Sequence, residues 1–117
     1  MTPFGDYVRN RREQLRATSS EFSLRKVADR LGVEPSFLSK VERGEASPPS
    51  EARIIDLAEV LGEDPDVLLA LAGKVRSDLQ EIIRNRPEIF ASLIRELRDM
   101  PDHAVLRLVR EVRDGDW

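Results

Sequence analysis

The sequence predicts an all-α chain, a five-helix domain followed by a short helical C-terminal extension. Three observations carry that reading. Apolar residues recur at i, i+3, i+4 and i+7, and no segment alternates apolar and polar as a half-buried strand does. Gly and Pro stand at the ends of the periodic stretches, as at Gly32, Pro35, Gly62, Pro65, Gly73 and Pro87. The 117 residues fit one domain plus an appendage, divided at Gly73 into 1–73 and 74–117.

The first helix is expected over 3–17, with Thr2 as its cap and Phe4, Val8 and Leu15 inward. In the second, Ser23 caps, and Leu24, Val27, Ala28 and Leu31 form one stripe. Ala28 is small, as a close helix crossing requires. Gly32 follows as the left-handed stop, and Val33 buries under the turn. Pro35 suits the first position of the third helix, 35–43, where its missing N–H costs nothing. Leu38 and Val41 point to the core, Gly44 stops the helix, and Pro48-Pro49 bars its continuation. The fourth helix starts near Ser50, buries Ile54, Leu57, Ala58 and Leu61, and ends at Gly62. Asp64 then caps a fifth over 65–72, closed by Gly73.

Three helices are expected in the extension. Ser77 caps 78–85, with Leu79, Ile82 and Ile83 apolar. Pro87 opens 87–99, where Ile89, Phe90, Leu93, Ile94 and Leu97 form a stripe with Met100 just beyond. Pro101 opens a last helix to Asp114, with Val105, Leu108, Val109 and Val112 apolar. Such short helices are unstable alone. They finish the core, dimerise or bind a partner.

The stretch from Ser23 to Gly44 has the pattern of a helix-turn-helix, whose second helix enters the major groove of DNA. Ser36, Ser39, Lys40 and Arg43 point away from the core, and short or basic side chains suit base edges and phosphates. Gly32-Val33, the run Phe37-Leu38-Ser39-Lys40-Val41-Glu42-Arg43-Gly44 and the later Leu57-Ala58-Glu59-Val60-Leu61-Gly62 resemble the Xre/lambda-repressor-like (Cro/C1-type) family over residues 3–72. The resemblance implies a five-helix lambda-repressor-like domain with its third helix as reader. It makes Ser36, Ser39 and Lys40 base-reading candidates. It lays Phe37 against the sugar-phosphate backbone or thymine methyls, and it sets Arg43 and Arg25 on phosphates, with Lys26 also in the DNA-binding set. Glu42 is assigned a structural bond within the motif. Two departures stand out. The connection over 16–23 is several residues longer than the family's usual one, with Phe22 filling the slot of a leucine. Arg11 occupies a position that is often apolar.

Net charge is −3, which by itself speaks against nucleic acid, yet its distribution is uneven. Residues 1–50 hold nine basic and seven acidic residues, a balance of +2, and residues 51–117 hold 10 and 15, a balance of −5. Local potential governs phosphate binding, so a salt-sensitive interaction is expected.

The chemistry of an enzyme is missing. There is no cysteine, no Gly-rich phosphate loop, and a single histidine, His103, without the companions a metal site or a triad needs. Neither a cofactor nor a bound metal is expected. No apolar run approaches about 18 residues and no leader is visible, so a cytoplasmic protein with no membrane partner is expected. The expected partners are double-stranded DNA and a second copy of the chain. The resemblance also admits an antitoxin or a protease-controlled repressor, whose acidic extension holds a toxin or metallopeptidase. An adaptor that no longer binds DNA is a third reading.

Overall fold

The computed structural model describes residues 2–115 and 117, and among these the chain is helical with no strand. In order come α1 (Pro3–Arg16), a 3₁₀ turn (Ser20–Phe22), α2 (Leu24–Leu31), α3 (Pro35–Glu42), α4 (Glu51–Leu61), α5 (Pro65–Leu71), α6 (Ser77–Asn85), α7 (Pro87–Leu97) and α8 (Asp102–Asp114). They group into two units, Met1–Arg76 and Ser77–Trp117.

In the first unit each helix contributes one stripe to a shared core. Phe4 and Val8 come from α1, Val27, Ala28 and Leu31 from α2, and Leu38 and Val41 from α3. Ile54, Leu57, Ala58 and Leu61 come from α4, and Leu68 and Leu69 from α5. Leu15, Phe22, Leu24, Val33 and Phe37 pack against this cluster while half-buried. Burying such side chains is worth about 1.5–3 kcal/mol each, which is the main term holding α1–α5 together.

The helix ends follow local chemistry. The hydroxyls of Ser23 and Ser50 accept from the N–H groups of Lys26 (3.3 Å) and Arg53 (3.4 Å), capping α2 and α4. Asp64 Oδ1 accepts from Asp66 N at 2.8 Å at the start of α5. Gly62, Gly44 and Gly73 all carry positive φ. Thr2 stands at the N-cap of α1 in extended backbone, but its side chain makes no capping bond.

Gly5 matters for a different reason. A Cβ there would lie 2.5 Å from the Val41 carbonyl oxygen and 2.7 Å from that of Glu42. The backbone of α1 therefore approaches the end of α3 more closely than any side chain allows.

Several boundaries differ from expectation. α1 ends at Arg16, α3 at Glu42 and α7 at Leu97. Ser77 is the first helical residue of α6 rather than its cap. Pro101, with ψ 158°, lies before α8 in extended backbone instead of opening it.

In the second unit, α6, α7 and α8 are each amphipathic, yet none has a buried residue. Ile82, Ile89, Ile94, Leu106, Val109 and Val112 are all at least half exposed. An apolar groove runs between α7 and α8, lined by Leu93, Leu97, Val105, Leu108 and Val112 among others.

Candidate nucleic-acid interface

The turn between α2 and α3 is set by Gly32. Its φ of 70° is a left-handed conformation that glycine adopts without a Cβ clash. The Val33 and Gly32 N–H groups then close on the carbonyls of Ala28 (3.0 Å) and Asp29 (3.1 Å). The Arg53 guanidinium of α4 donates to the Leu31 carbonyl, satisfying another free acceptor at the end of α2. Pro35 starts α3 directly after the turn.

A buried ion pair ties α3 to α1. Arg12 Nε donates to Glu42 Oε2 at 2.7 Å and Arg12 Nη2 to Glu42 Oε1 at 2.9 Å. Both side chains are only 4% exposed. Arg12 also donates to the Phe22 carbonyl at 3.3 Å and to Glu13 Oε1 at 3.2 Å. One planar guanidinium thus ties α1, the 3₁₀ turn and α3 together, through a bidentate geometry that lysine lacks. The hydrogen bonds to Glu42 raise the proton affinity of Arg12, against the opposing effect of burial. Glu42 has the structural role expected of it, but its partner lies on α1, outside the helix-turn-helix. Arg12 itself carries no sequence signal beyond being one of many arginines. Its position four residues after the buried Val8 is the one clue that it points inward.

With Leu38, Val41 and Glu42 anchored inward, Ser36, Ser39, Lys40 and Arg43 share the opposite face at i, i+3, i+4 and i+7. Ser36, Lys40 and Arg43 are exposed and Ser39 is half-buried. Lys40 and Ser36 make no side-chain bond among the described residues, so both are free to meet another molecule. Arg43 is engaged: Nη1 donates to Ser39 Oγ at 2.9 Å and Nη2 to Glu45 at 3.0 Å. Its ion pair with Glu45 is exposed and worth little, so a phosphate competes with it readily. Phe37 is half-buried against the core, leaving part of its ring on the surface.

Arg25 and Lys26 lie exposed in the first turn of α2. Lys26 Nζ pairs with Glu21 at 3.0 Å, holding that carboxyl below the usual range, and the charge of Arg30 adds to the effect. Phe22, in the long connection, packs on the core as expected and lies under the Arg30 guanidinium, 5.1 Å from ring centroid to Cζ. Arg11 reaches Glu63 at 2.9 Å and the Leu61 carbonyl at 3.2 Å, which explains how a cation occupies an often apolar position. Tyr7 donates to the same Glu63 at 3.0 Å, and this bond raises the Tyr7 pKa.

The sequence reading missed Arg9. It is exposed on α1 and lines one shallow cleft with Glu13, Leu24, Ser39 and Arg43, a cleft floored by Arg12 and Glu42. Arg9 and Arg12 lie three apart on α1, spacing that places both on the side of the helix facing α3. Among the described residues there is no acidic or histidine cluster fit to hold a metal ion, and His103 is exposed. Nor is any helix among them long and apolar enough to cross a membrane.

A family model described as a helix-turn-helix domain matches residues 3–71. No curated protein and no solved structure matches the chain.

Proposed function

The chain belongs to the helix-turn-helix domain family, and we propose that it is a sequence-specific transcriptional regulator, a repressor of the Xre type, that reads operator half-sites with α3 as a homodimer. The family is one of DNA binding, and the observation that carries the finer reading is the division of α3. Leu38, Val41 and Glu42 fix the helix, while Ser36, Ser39 and Lys40 are left for base edges. Arg43, Arg25, Lys26 and Arg9 serve phosphates, and the exposed part of Phe37 meets sugar or thymine methyls. Two copies would set their reading helices roughly 34 Å apart, one turn of DNA. The protein acts by binding rather than by catalysis, in the cytoplasm.

The test is a titration of the full chain against its own upstream promoter and against a scrambled duplex, at low and moderate salt. Lys40→Ala should weaken specific binding by about 1–3 kcal/mol, or about 5- to 150-fold, with helicity unchanged. Ser39→Ala should act in the same direction. Wild-type affinity and specificity in both variants would remove α3 as the reader.

A second reading is favoured by the exposed apolar residues of α6–α8. In it the chain is an antitoxin or a protease-controlled autoregulatory repressor whose C-terminal helices hold a toxin or metallopeptidase. A co-expressed neighbour that co-purifies with the full chain, and not with one ending at Gly73, would support it.

A further inference from the structure

One line on α8 has the arrangement of half an interface. Asp102, Leu106, Val109 and Arg113 are spaced four, three and four apart, the a/d spacing of a coiled-coil seam. All four are exposed, Leu106 by 58% and Val109 by 51%. The apolar pair sits in the middle, with an acid at the N-terminal end and a base at the C-terminal end. Arg113 now pairs with its chain neighbour Asp114 at 3.2 Å, an exposed contact of little worth.

We propose that a second copy of the chain docks here, α8 against α8 in antiparallel, about a two-fold axis passing between Arg107 and Leu108. Each Leu106 then lies on the other copy's Val109, and each Asp102 closes on the other copy's Arg113. The charge order selects both occupant and direction. A line with opposite charges at its two ends is complementary to its own reverse, as a self-complementary two-fold interface requires. A parallel pairing would set Asp102 on Asp102 and Arg113 on Arg113. Antiparallel helices also oppose their dipoles favourably. A stable interface needs on the order of 1,000 Å² of buried surface, more than one short seam supplies. The α7–α8 groove adjoins the seam, shares Val109 and Arg113 with it, and widens the apolar patch with Leu93 and Leu97.

This deepens the homodimer element of the functional reading and rests on it, but the two are tested apart. Sedimentation of the full chain gives its dimer dissociation constant, and anisotropy on a single half-site gives DNA binding. The expected result is a wild-type dimer. D102R and R113D should each weaken it at least about 10-fold, because each replaces two attractive contacts with two repulsive ones. Mixing the D102R chain with the R113D chain should restore a dimer, now a heterodimer, and the double variant D102R/R113D should restore a homodimer. Half-site binding should persist in every variant. A monomeric wild-type chain would overturn the proposal and leave α8 to a different protein. Single variants that dimerise as wild type does would also overturn it, as would a mixture that fails to rescue. The rescue separates lost pairing from a merely frayed α8, since mixing cannot repair a damaged helix. Loss of DNA binding with an intact dimer would count against the functional reading alone.

Discussion

The two units are built from helices of similar length and similar amphipathic pattern, yet they bury very different amounts. Every buried apolar side chain among the described residues lies in Met1–Arg76, and α6–α8 have none. The difference lies in what crosses between elements. In the first unit, long side chains reach from one helix to the open end or buried carboxylate of another. Arg12 reaches Glu42, Arg53 the Leu31 carbonyl, and Arg11 the Leu61 carbonyl. In the second, ion pairs such as Arg84–Glu81, Arg98–Asp99 and Arg113–Asp114 join residues three or fewer apart. An apolar stripe makes a helix ready to pack. A core forms only when the stripes of several helices converge and the polar ends between them are satisfied.

The sharpest way to break the contrast is to cut one of those cross-links. Glu42→Ala leaves the Arg12 guanidinium buried without its counter-charge and should cost about 3–5 kcal/mol in urea unfolding of the first unit. Joint replacement by Met at 12 and Leu at 42 should recover most of it, because both buried charges then vanish. A loss under about 1 kcal/mol for Glu42→Ala would mean that α3 is held by apolar packing alone.

Next in size is a matched pair of truncations. Leu57→Ala in the core should cost about 2–5 kcal/mol. Ile94→Ala, at a position 50% exposed, should cost no more than about 0.5 kcal/mol in the monomer. The two are read by thermal melts at a concentration low enough to dissociate any oligomer. Equal costs would mean that α7 is covered even in a single chain.

The smallest expected effect is a pH dependence on the surface of the first unit. The Lys26 ammonium lowers the Glu21 carboxyl from its ordinary 4.5. The pair's contribution is therefore fully present above that value and is lost as pH falls through the lower folded one. Urea midpoints of wild type and Glu21→Gln should differ slightly at neutral pH and converge in acid, once the folded carboxyl has taken up its proton. A gap that persists in acid would assign the effect to something other than charge.

The sequence made the helices of the first unit readable because their signals are local. Ser23, Gly32, Pro35, Ser50, Gly62 and Asp64 act within a few residues of where they stand, and each occupies the expected terminus. The alternation of Leu38 and Val41 with Ser36, Lys40 and Arg43 is equally local, so the outward face of α3 was visible in advance. What stayed hidden depends on pairs distant in sequence. Arg12 and Glu42 are 30 residues apart, and neither identity announces burial. Gly5 sits within a regular helix where a turn has no use for it, and only the nearness of α3 gives it meaning. Arg9 enters the candidate interface for the same reason, through a cleft that exists once α1 and α3 have met. In the tail, the stripes were readable as apolar, but periodicity says nothing about whether a stripe finds a neighbour.

The close seat of α3 on Gly5 has a consequence for how new binding specificities can arise. Val41 and Glu42 fix the helix through its backbone and inner face, whereas the side chains of Ser36 and Lys40 are exposed and take no part in that seating. Inheritance can therefore vary the outer alphabet freely while the mount stays constant. A library randomised at Ser36 and Lys40 would vary that outer face on an unchanged scaffold. Variation at Gly5 would shift the whole of α3 at once, and selection would meet it as loss rather than as novelty.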